Sequence, residues 1–430
     1  MLRGAAAAGH AALATAEPSA PALEQRRADD LRRALKRSRR REQLRAAALV
    51  LPLFLFLAAC FVVPIGLMLS RGVVDTDLAK ILPSVTNALK GWDDRELPPE
   101  PVFAALVSDI RAAREAGTLA SAATRLNYDV PGFRTLLFTT GRQLPEELAG
   151  SARDTLVRID PKWGERETWA VIRRAGGPVT DFYLLGALDL RRDTDNSITG
   201  APPEQRVFRD VLWRTLWISA MVTLICLLLG YPVAYVIARQ PPARAGVLLF
   251  LVLLPFWTSL LVRTAAWVVL LQKEGILNSL FLSMGIIDQP LKMIFNRFAV
   301  YVAMVHVLLP FMVLPLYSVM RSIPPSYVRA ASSLGARPFT AFRRVYMPQT
   351  LPGIGAGCLM VFIQALGYYV TPALVGGADD QMISYFIAFY ASKTVNWGMA
   401  AALSITLLTA TLALYAVYNR MVGVERMRLG

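Results

Sequence analysis

"RAASSLGARPFTAFRRVYMPQTLPGIGAG", residues 329–357, lies between two long apolar stretches and carries arginines but no acidic residue. Arg329–Leu334 is a small-residue, helix-compatible run that Gly335 interrupts. Pro338 falls where the first turn of a second helix tolerates a ring. Phe339, Phe342 and Tyr346 then recur at helical spacing, and Pro348 and Pro352 are expected to close that helix before the next apolar stretch. The pattern predicts two short helices joined at a glycine and lying along a membrane surface, a shape suited to docking. A plain linker between two spans satisfies the same composition equally well.

The flanking stretches decide the fold class. Of 430 residues, 55% are hydrophobic and 18% charged, with mean hydropathy +0.42; a water-soluble chain of this size would need an unusually large core to hide that much apolar surface. The apolar residues are also gathered into blocks near the roughly 20 residues a helix needs to cross a bilayer. Six spans are expected, at Ala46–Ser70, Val211–Ala238, Gly246–Leu271, Ala299–Met320, Gly353–Val375 and Met399–Tyr418. Backbone amides must be paired in hydrocarbon, so these are predicted helices; barrel strands would be about ten residues long with alternating polarity, which is not the pattern here. The expected fold is all-α and integral to the membrane.

Cys60, Cys226 and Cys358 all fall inside expected spans, where a thiol behaves as a small apolar group. Neither a disulfide framework nor a metal site is implied, and His10 and His306 are too far apart to form a metal cluster. "LAAC" at Leu57–Cys60 resembles a lipoprotein cleavage box. The apolar run continues beyond it, however, and a long basic segment precedes it, so an uncleaved first span is expected.

Arginine and lysine in short flanks set orientation. The tail before span one, the turn with Arg239 and Arg244, the loop with Arg321, Arg329, Arg337, Arg343 and Arg344, and the end with Arg420, Arg426 and Arg428 are all basic. The loop 376–397 carries Asp379 and Asp380 against Lys393 alone. Both termini and the quoted loop are therefore expected in the cytoplasm. The formal charge of +15 is read as this topology signal. Nucleic-acid binding is not expected, because the basic residues are scattered without interleaved aromatics; the N-terminal cluster can also touch anionic lipid headgroups.

The expected organisation is a basic cytoplasmic tail (1–45), span one (46–70), an extracytoplasmic insert (71–207), a core with spans two to six (208–421) containing the 321–350 loop, and a cytoplasmic C-terminus (422–430). The insert has 18 basic and 20 acidic residues and so reads as an ordinary soluble surface. "EPVFAALVSDIRAAREAG" has helical periodicity, and "DFYLLGALDL" reads as a strand. Asp193, Asp195, Ser197 and Glu204 have calcium-loop spacing, but Ile198 stands where such a loop needs glycine, so a turn is expected.

At residues 329–353 the sequence resembles the EAA-loop pattern of ABC importer permeases: E-A-A, three variable residues, G, then an apolar helix ending in L-P. Ala330, Ala331, Gly335, Phe342 and Pro348 match, whereas Arg329 replaces the glutamate and Met347 the leucine. "GYPVAYVIAR" (230–239), "LPFWTSLLVRTAAWVVLL" (254–271), "HVLLPFMVLPLYSVM" (306–320) and "GYYVTPALVGG" (367–377) extend the resemblance to the spermidine/putrescine-type subfamily. The resemblance implies a coupling segment, here Arg329, Ala330, Ala331, Gly335, Ala336, Phe339, Phe342 and Pro348, that engages a cytoplasmic ATPase. It further implies an ATPase dimer, a second permease subunit, a periplasmic solute-binding protein and a bacterial inner-membrane location. No G-x-x-x-x-G-K-[ST] occurs, so ATP and magnesium are expected on the partner ATPase, and this chain is expected to be a transport subunit without cofactor or enzymatic activity. The implied function is polyamine import by alternating access; an importer for another small solute, or a membrane sensor with the insert as its docking module, are the alternatives.

Arg263, Trp267, Gln364, Tyr368, Tyr369 and Thr371 are the candidates along a substrate path. A charge in a span is costly unless it faces protein or water, which singles out Arg263; a structural ion pair or carbonyl contact is the plainer reading. Gln364, Tyr368, Tyr369 and Thr371 form a polar, aromatic stripe suited to an ammonium group, although tyrosines near a span end also serve as interface anchors. Trp267 also reads as packing, and His306 as a polar contact between helices.

Overall fold

The computed structural model describes residues 39, 42–148, 150–193 and 197–422. Among these, five helices are long and apolar enough to cross a membrane: Glu42–Ser70, Phe208–Ala238, Arg297–Ser322, Pro338–Gly367 and Trp397–Arg420; a bent pair, Pro242–Trp257 with Leu260–Ser283, supplies a sixth span if counted as one. The chain divides into two compact units, residues 1–67 and 68–430. In the first, the long helix displays leucine and phenylalanine outward along its length, as lipid contact requires.

The second unit holds a membrane core. Its centre is the packing of the 208–238, 297–322 and 347–367 helices around Ile218, Val222, Met304, Leu308, Met312 and Val361. Lipid tails are as apolar as leucine, so close backbone approach and dispersion hold such helices together. Met312 shows how: it is gripped between Gly230 and Gly357, where an added Cβ would lie 2.9 Å from Met312 Cγ and 2.7 Å from its Sδ. Pro232, Pro310, Pro315 and Pro352 all sit inside helices without ending them.

The expected third span, Gly246–Leu271, is not one straight helix. It breaks at Thr258–Ser259, and the two arms meet at 92°. Pro255 ends the first arm in a 3₁₀ turn, and Ser259 starts the second by accepting a hydrogen bond from the Val262 amide at 3.3 Å. The fifth span ends at Gly367 rather than Val375. Tyr368 and Tyr369 lie in a non-helical break before the short helix Val370–Val375.

Residues 77–175 fold as a helical body with its own core, which answers whether the insert is compact or a set of separate helices. Phe103, Trp163 and Trp169 fill its centre, Phe103 and Trp169 with ring centroids 4.4 Å apart and the two tryptophans 5.5 Å apart. Both indole N–H groups are satisfied, Trp163 by Thr140 Oγ1 and Trp169 by the Trp163 carbonyl, each at 2.9 Å. "DFYLLGALDL" is not a strand along its length: Phe182–Ala187 is helical and only Leu190–Arg192 pairs, antiparallel with Ile198–Gly200. Beside that pair the Asp193 amide donates to the Ser197 carbonyl at 2.9 Å; Asp195 lies outside the described residues.

Two devices join the 71–207 insert to the membrane core. Asp189 accepts from the Val207, Phe208 and Arg209 amides at 3.1, 3.0 and 2.8 Å, capping the start of the 208–238 helix from a distant position. The second is a buried ion cluster. Arg125 pairs with Asp75 and with Asp129 at 2.8 Å, Tyr183 donates to Asp75 at 3.1 Å, and the Tyr183 ring packs where Gly398 leaves no side chain. Burial works to lower the Arg125 pKa, but Asp129, Tyr183 and Asp75 outweigh it and hold the guanidinium charged. Asp129 is shifted the other way: burial raises its carboxyl, and Arg125, shared with Asp75, lowers it only in part.

Candidate functional site

The 321–350 loop is built as a tethered projection. Its first helix, Pro325–Ser333, buries none of its residues and ends in a glycine-capped turn. Gly335 adopts φ +82°, its amide donates to the Ser332 carbonyl and the Ala336 amide to the Ala331 carbonyl, both at 3.0 Å. This paired arrangement is the Schellman motif, which calls for a residue in the left-handed region after the last helical turn. An added Cβ at Gly335 would meet no atom within 4 Å, so backbone conformation alone calls for glycine there.

The second half of the loop departs from expectation. Pro348 and Pro352 do not close a separate surface helix; Pro338–Gly367 runs continuously into the fifth span. A proline early in a helix forfeits little, and a later one is tolerated where neighbouring helices cover the freed carbonyl. A π-helical turn at Phe342–Tyr346 marks the passage from loop to span. There Phe342 and Tyr346 pack on Tyr235 at 5.5 and 5.4 Å between ring centroids, and the Arg239 guanidinium sits 4.0 Å from the centroid of the Tyr235 ring. Arg321 adds hydrogen bonds to the Ala238 and Gln240 carbonyls at 2.9 and 3.0 Å, closing the end of the 208–238 helix. The expected single apolar face is therefore divided: Phe342 and Tyr346 face inward, whereas Phe339 is 71% exposed. With Tyr327 at 52% and Leu334 at 89%, it leaves an apolar surface bordered by exposed Arg329, Arg337, Arg343 and Arg344, while Ala330 and Pro348 are also exposed. Tyr231 and Tyr235, which the sequence reading did not select, form the inner wall; their i, i+4 spacing ahead of Arg239 was the available signal.

A second cluster lies among the bent arm 260–271, the 297–322 helix and the break at Tyr368–Tyr369. Trp267 donates to His306 Nδ1 at 3.1 Å, with the rings edge to face at 5.6 Å. Arg263 is close enough for its charge to act on both His306 and Tyr368, and all four side chains are half-buried. Thr371 is fully buried and its hydroxyl lies 3.3 Å from that of Thr264, joining two helices. Gln364 and Tyr369 are exposed. Of the sequence candidates, Trp267 thus contacts His306, Arg263 lies near enough to influence both His306 and Tyr368, and the expected stripe along the fifth span is split by the break after Gly367. Arg263 has neither an ion pair nor a carbonyl contact for Nε and Nη1, both buried without a hydrogen-bond partner among the described residues.

A bundle of long apolar helices, a broken span and one loop held out from the membrane core define a multi-pass membrane protein. Residues 215–423 match the model of the binding-protein-dependent transport system inner membrane component family, and the chain belongs to that family. Over 214 residues it is 40% identical to a spermidine/putrescine transport system permease protein, PotB, of Haemophilus influenzae, covering 50% of this chain and 75% of that protein. The Escherichia coli K12 protein of the same name is 38% identical over 214 residues, covering 50% and 78%. A bacterial ABC transporter involved in import of the polysaccharide alginate has a chain of known structure at 18% identity and TM-score 0.44, covering 50% of this chain and 78% of that one. This chain is accordingly a multi-pass inner-membrane permease component and not an enzyme. The body at 77–175 lies outside the family match.

Proposed function

We propose that this chain is the permease subunit of an ATP-driven importer for polyamines such as spermidine and putrescine, with the 325–333 helix and its glycine-capped turn serving as the point where a separate ATPase pushes. The observation that carries the reading is the construction of the loop: a helix with no buried residue, held rigidly at both ends by Arg321 and by the Phe342–Tyr346 packing. A loop that only linked two spans would not need an exposed apolar surface set on such a base. The resemblance of 329–353 to a coupling segment and the identity to polyamine permeases support the substrate class.

In this reading both termini and the loop face the cytoplasm, and the 71–207 insert faces outward, where a solute-binding protein delivers substrate. ATPase closure shifts the loop, the Tyr231–Tyr235–Phe342–Tyr346 packing passes the shift to the 208–238 helix, and the two-state core changes its open side. Tyr368 and Trp267 offer aromatic faces, and the Tyr368 hydroxyl a polar contact, to an ammonium chain passing the break in span five. Arg263 supplies the opposite sign and is not assigned to the cation.

The test is uptake of labelled spermidine and putrescine into vesicles bearing this chain with all its partner subunits, alongside capture of the ATPase. Leu334 and Phe339 are mostly exposed, so with both changed to Asp the chain should insert normally, while ATPase capture and uptake fall together by about tenfold or more. Full capture by that double variant would remove the docking assignment; uptake of neither polyamine by the wild-type assembly would remove the substrate class.

A further inference from the structure

In the insert, the helix Arg166–Ala175 carries a pattern that the membrane core does not use. Glu167, Ala170, Val171 and Arg174 recur at i, i+3, i+4 and i+7, so they share one face. All four line a cavity of about 590 Å³, whose other walls come from residues 129–136 and 179–193. Clefts of about 300–1,000 Å³ are the usual size for a small organic ligand. Along the helix face a carboxylate stands at one end, an apolar floor in the middle and a guanidinium at the other end. Seven positions at about 1.5 Å each set the two charged ends about 10 Å apart.

Arg174 is half-buried, and its Nη1 donates to the Asp193 carbonyl at 3.1 Å, which fixes the guanidinium. Its Nε and Nη2 have no hydrogen bond among the described residues, and neither is closed off from solvent. The Arg174 charge reaches Asp129, but Arg125 already holds that carboxylate at 2.8 Å. Arg192 is likewise matched by Asp181 at 2.6 Å, and Arg191 and Asp193 carry opposite charges. At the opposite end Glu165 and Glu167 are exposed and form no ion pair among the described residues; Lys162, in the preceding turn, offsets one of them. The cavity is neutral in sum, with one positive charge left at the Arg174 end and one negative charge at the Glu167 end. Val130 and Val179 are exposed on its wall, and Phe182 and Leu185 half-buried, so apolar surface remains for a ligand to cover.

Those ends decide the ligand. A polyamine satisfies Glu167 but meets the Arg174 charge, and a simple carboxylate does the reverse. A single amino acid carries both charges too close together to reach both ends. An extended peptide advances about 3.3–3.6 Å per residue, so about three residues cover the span. We infer that this cavity binds a short apolar peptide of about three residues with free termini. Its carboxylate accepts from Nε and Nη2 of Arg174 in the side-on geometry that a guanidinium favours. Its ammonium lies against Glu167 and Glu165, and its side chains cover Val179, Phe182 and Leu185. This site goes beyond the transport reading and does not depend on it.

The experiment is titration calorimetry of the full-length protein in mild detergent with trileucine, N-acetyl-trileucine, trileucine amide, leucine and spermidine. Trileucine should bind saturably, one per chain. The acetylated and amidated peptides each lack one terminal charge and should bind about tenfold more weakly, or worse, as should leucine and spermidine. Arg174→Met should weaken trileucine by about tenfold and leave the amide unchanged, because the amide has no carboxylate to lose. Glu165→Gln with Glu167→Gln should weaken trileucine and leave the acetylated peptide unchanged. A damaged insert would instead weaken every peptide alike, so the ligand pattern separates recognition from folding. Absence of saturable trileucine binding to the wild-type chain overturns the inference. So does leucine or spermidine binding as tightly as trileucine, which removes the length or the charge argument. Equal losses for free and capped peptides in the variants also overturn it, since these side chains then do not read the termini.

Discussion

Replacing Gly335 tests whether the loop is a rigid lever. With φ at +82° and no atom within 4 Å of an added Cβ, substitution there creates no clash; the whole penalty is conformational. An L-residue in the left-handed region is disfavoured by about 1–2 kcal/mol, which lowers the ratio of the capped turn to competing loop shapes by roughly 5- to 30-fold. Asn bears the conformation best, Ala less well, and a β-branched residue worst. Uptake into vesicles containing all subunits should therefore fall in the order Gly335→Asn, Gly335→Ala, Gly335→Val, while the thermal transition of the purified chain stays within a degree or two, since the exposed turn can relax to another loop shape without unpacking the helices beneath it. The reasoning fails if Gly335→Val transports like wild type. It fails equally if Asn and Val reduce uptake to the same extent, because then side-chain bulk at a contact, and not backbone angle, sets the effect.

Two further outcomes follow from the insert. Trp169→Ala empties the centre of the 77–175 core and should destabilise that body by about 3–5 kcal/mol, read as early cleavage within 77–175 by a protease added to the full-length protein, with the membrane helices left intact. Unchanged protease resistance would show that the Phe103–Trp163–Trp169 packing does not hold the body together. Asp129 gives a pH signature. Its carboxyl is raised in the folded protein, chiefly by burial, so between that raised value and the ordinary carboxylate range the folded state holds a proton that the unfolded state has released. Stability through this group is therefore lowest at neutral pH and grows as pH falls through the folded value. Asp129→Asn removes the ionisation penalty and leaves Arg125 paired with Asp75, so its thermal advantage over wild type should be largest near neutral pH and shrink on acidification. An advantage that grows with acidity, or a variant less stable at neutral pH, would refute that account.

Much of the membrane architecture was legible in the amino-acid order. Runs of about 20 apolar residues marked the spans, because hydrocarbon leaves the backbone no option but a helix. Gly335 was legible as a breakpoint for a similar reason: a helix end in the left-handed region has few residue choices. The breaks inside spans were less legible. Nothing in the apolar run 246–271 separates a straight helix from two arms at 92°, although Pro255 and Ser259 were the local signal. Pro348 and Pro352 misled in the other direction, since their neighbours in space, and not their neighbours in sequence, determine whether a proline ends a helix. "DFYLLGALDL" was misassigned because a short apolar run fits a strand and a helix turn equally, and packing of Tyr183 beside Gly398 chose the helix.

By itself, then, the order of residues determined that this chain crosses a membrane in helices, where its basic loops lie along it, and that one of them turns on a glycine. Those properties depend on transfer into hydrocarbon and on local backbone sterics, which are felt residue by residue. Only the tertiary structure decided that Tyr235 and Phe342 form one joint, that Asp189 caps a helix nineteen residues on, and that Arg263 stands beside His306 and Tyr368 with two buried nitrogens unanswered. These depend on which faces meet, and no single stretch of sequence carries that information.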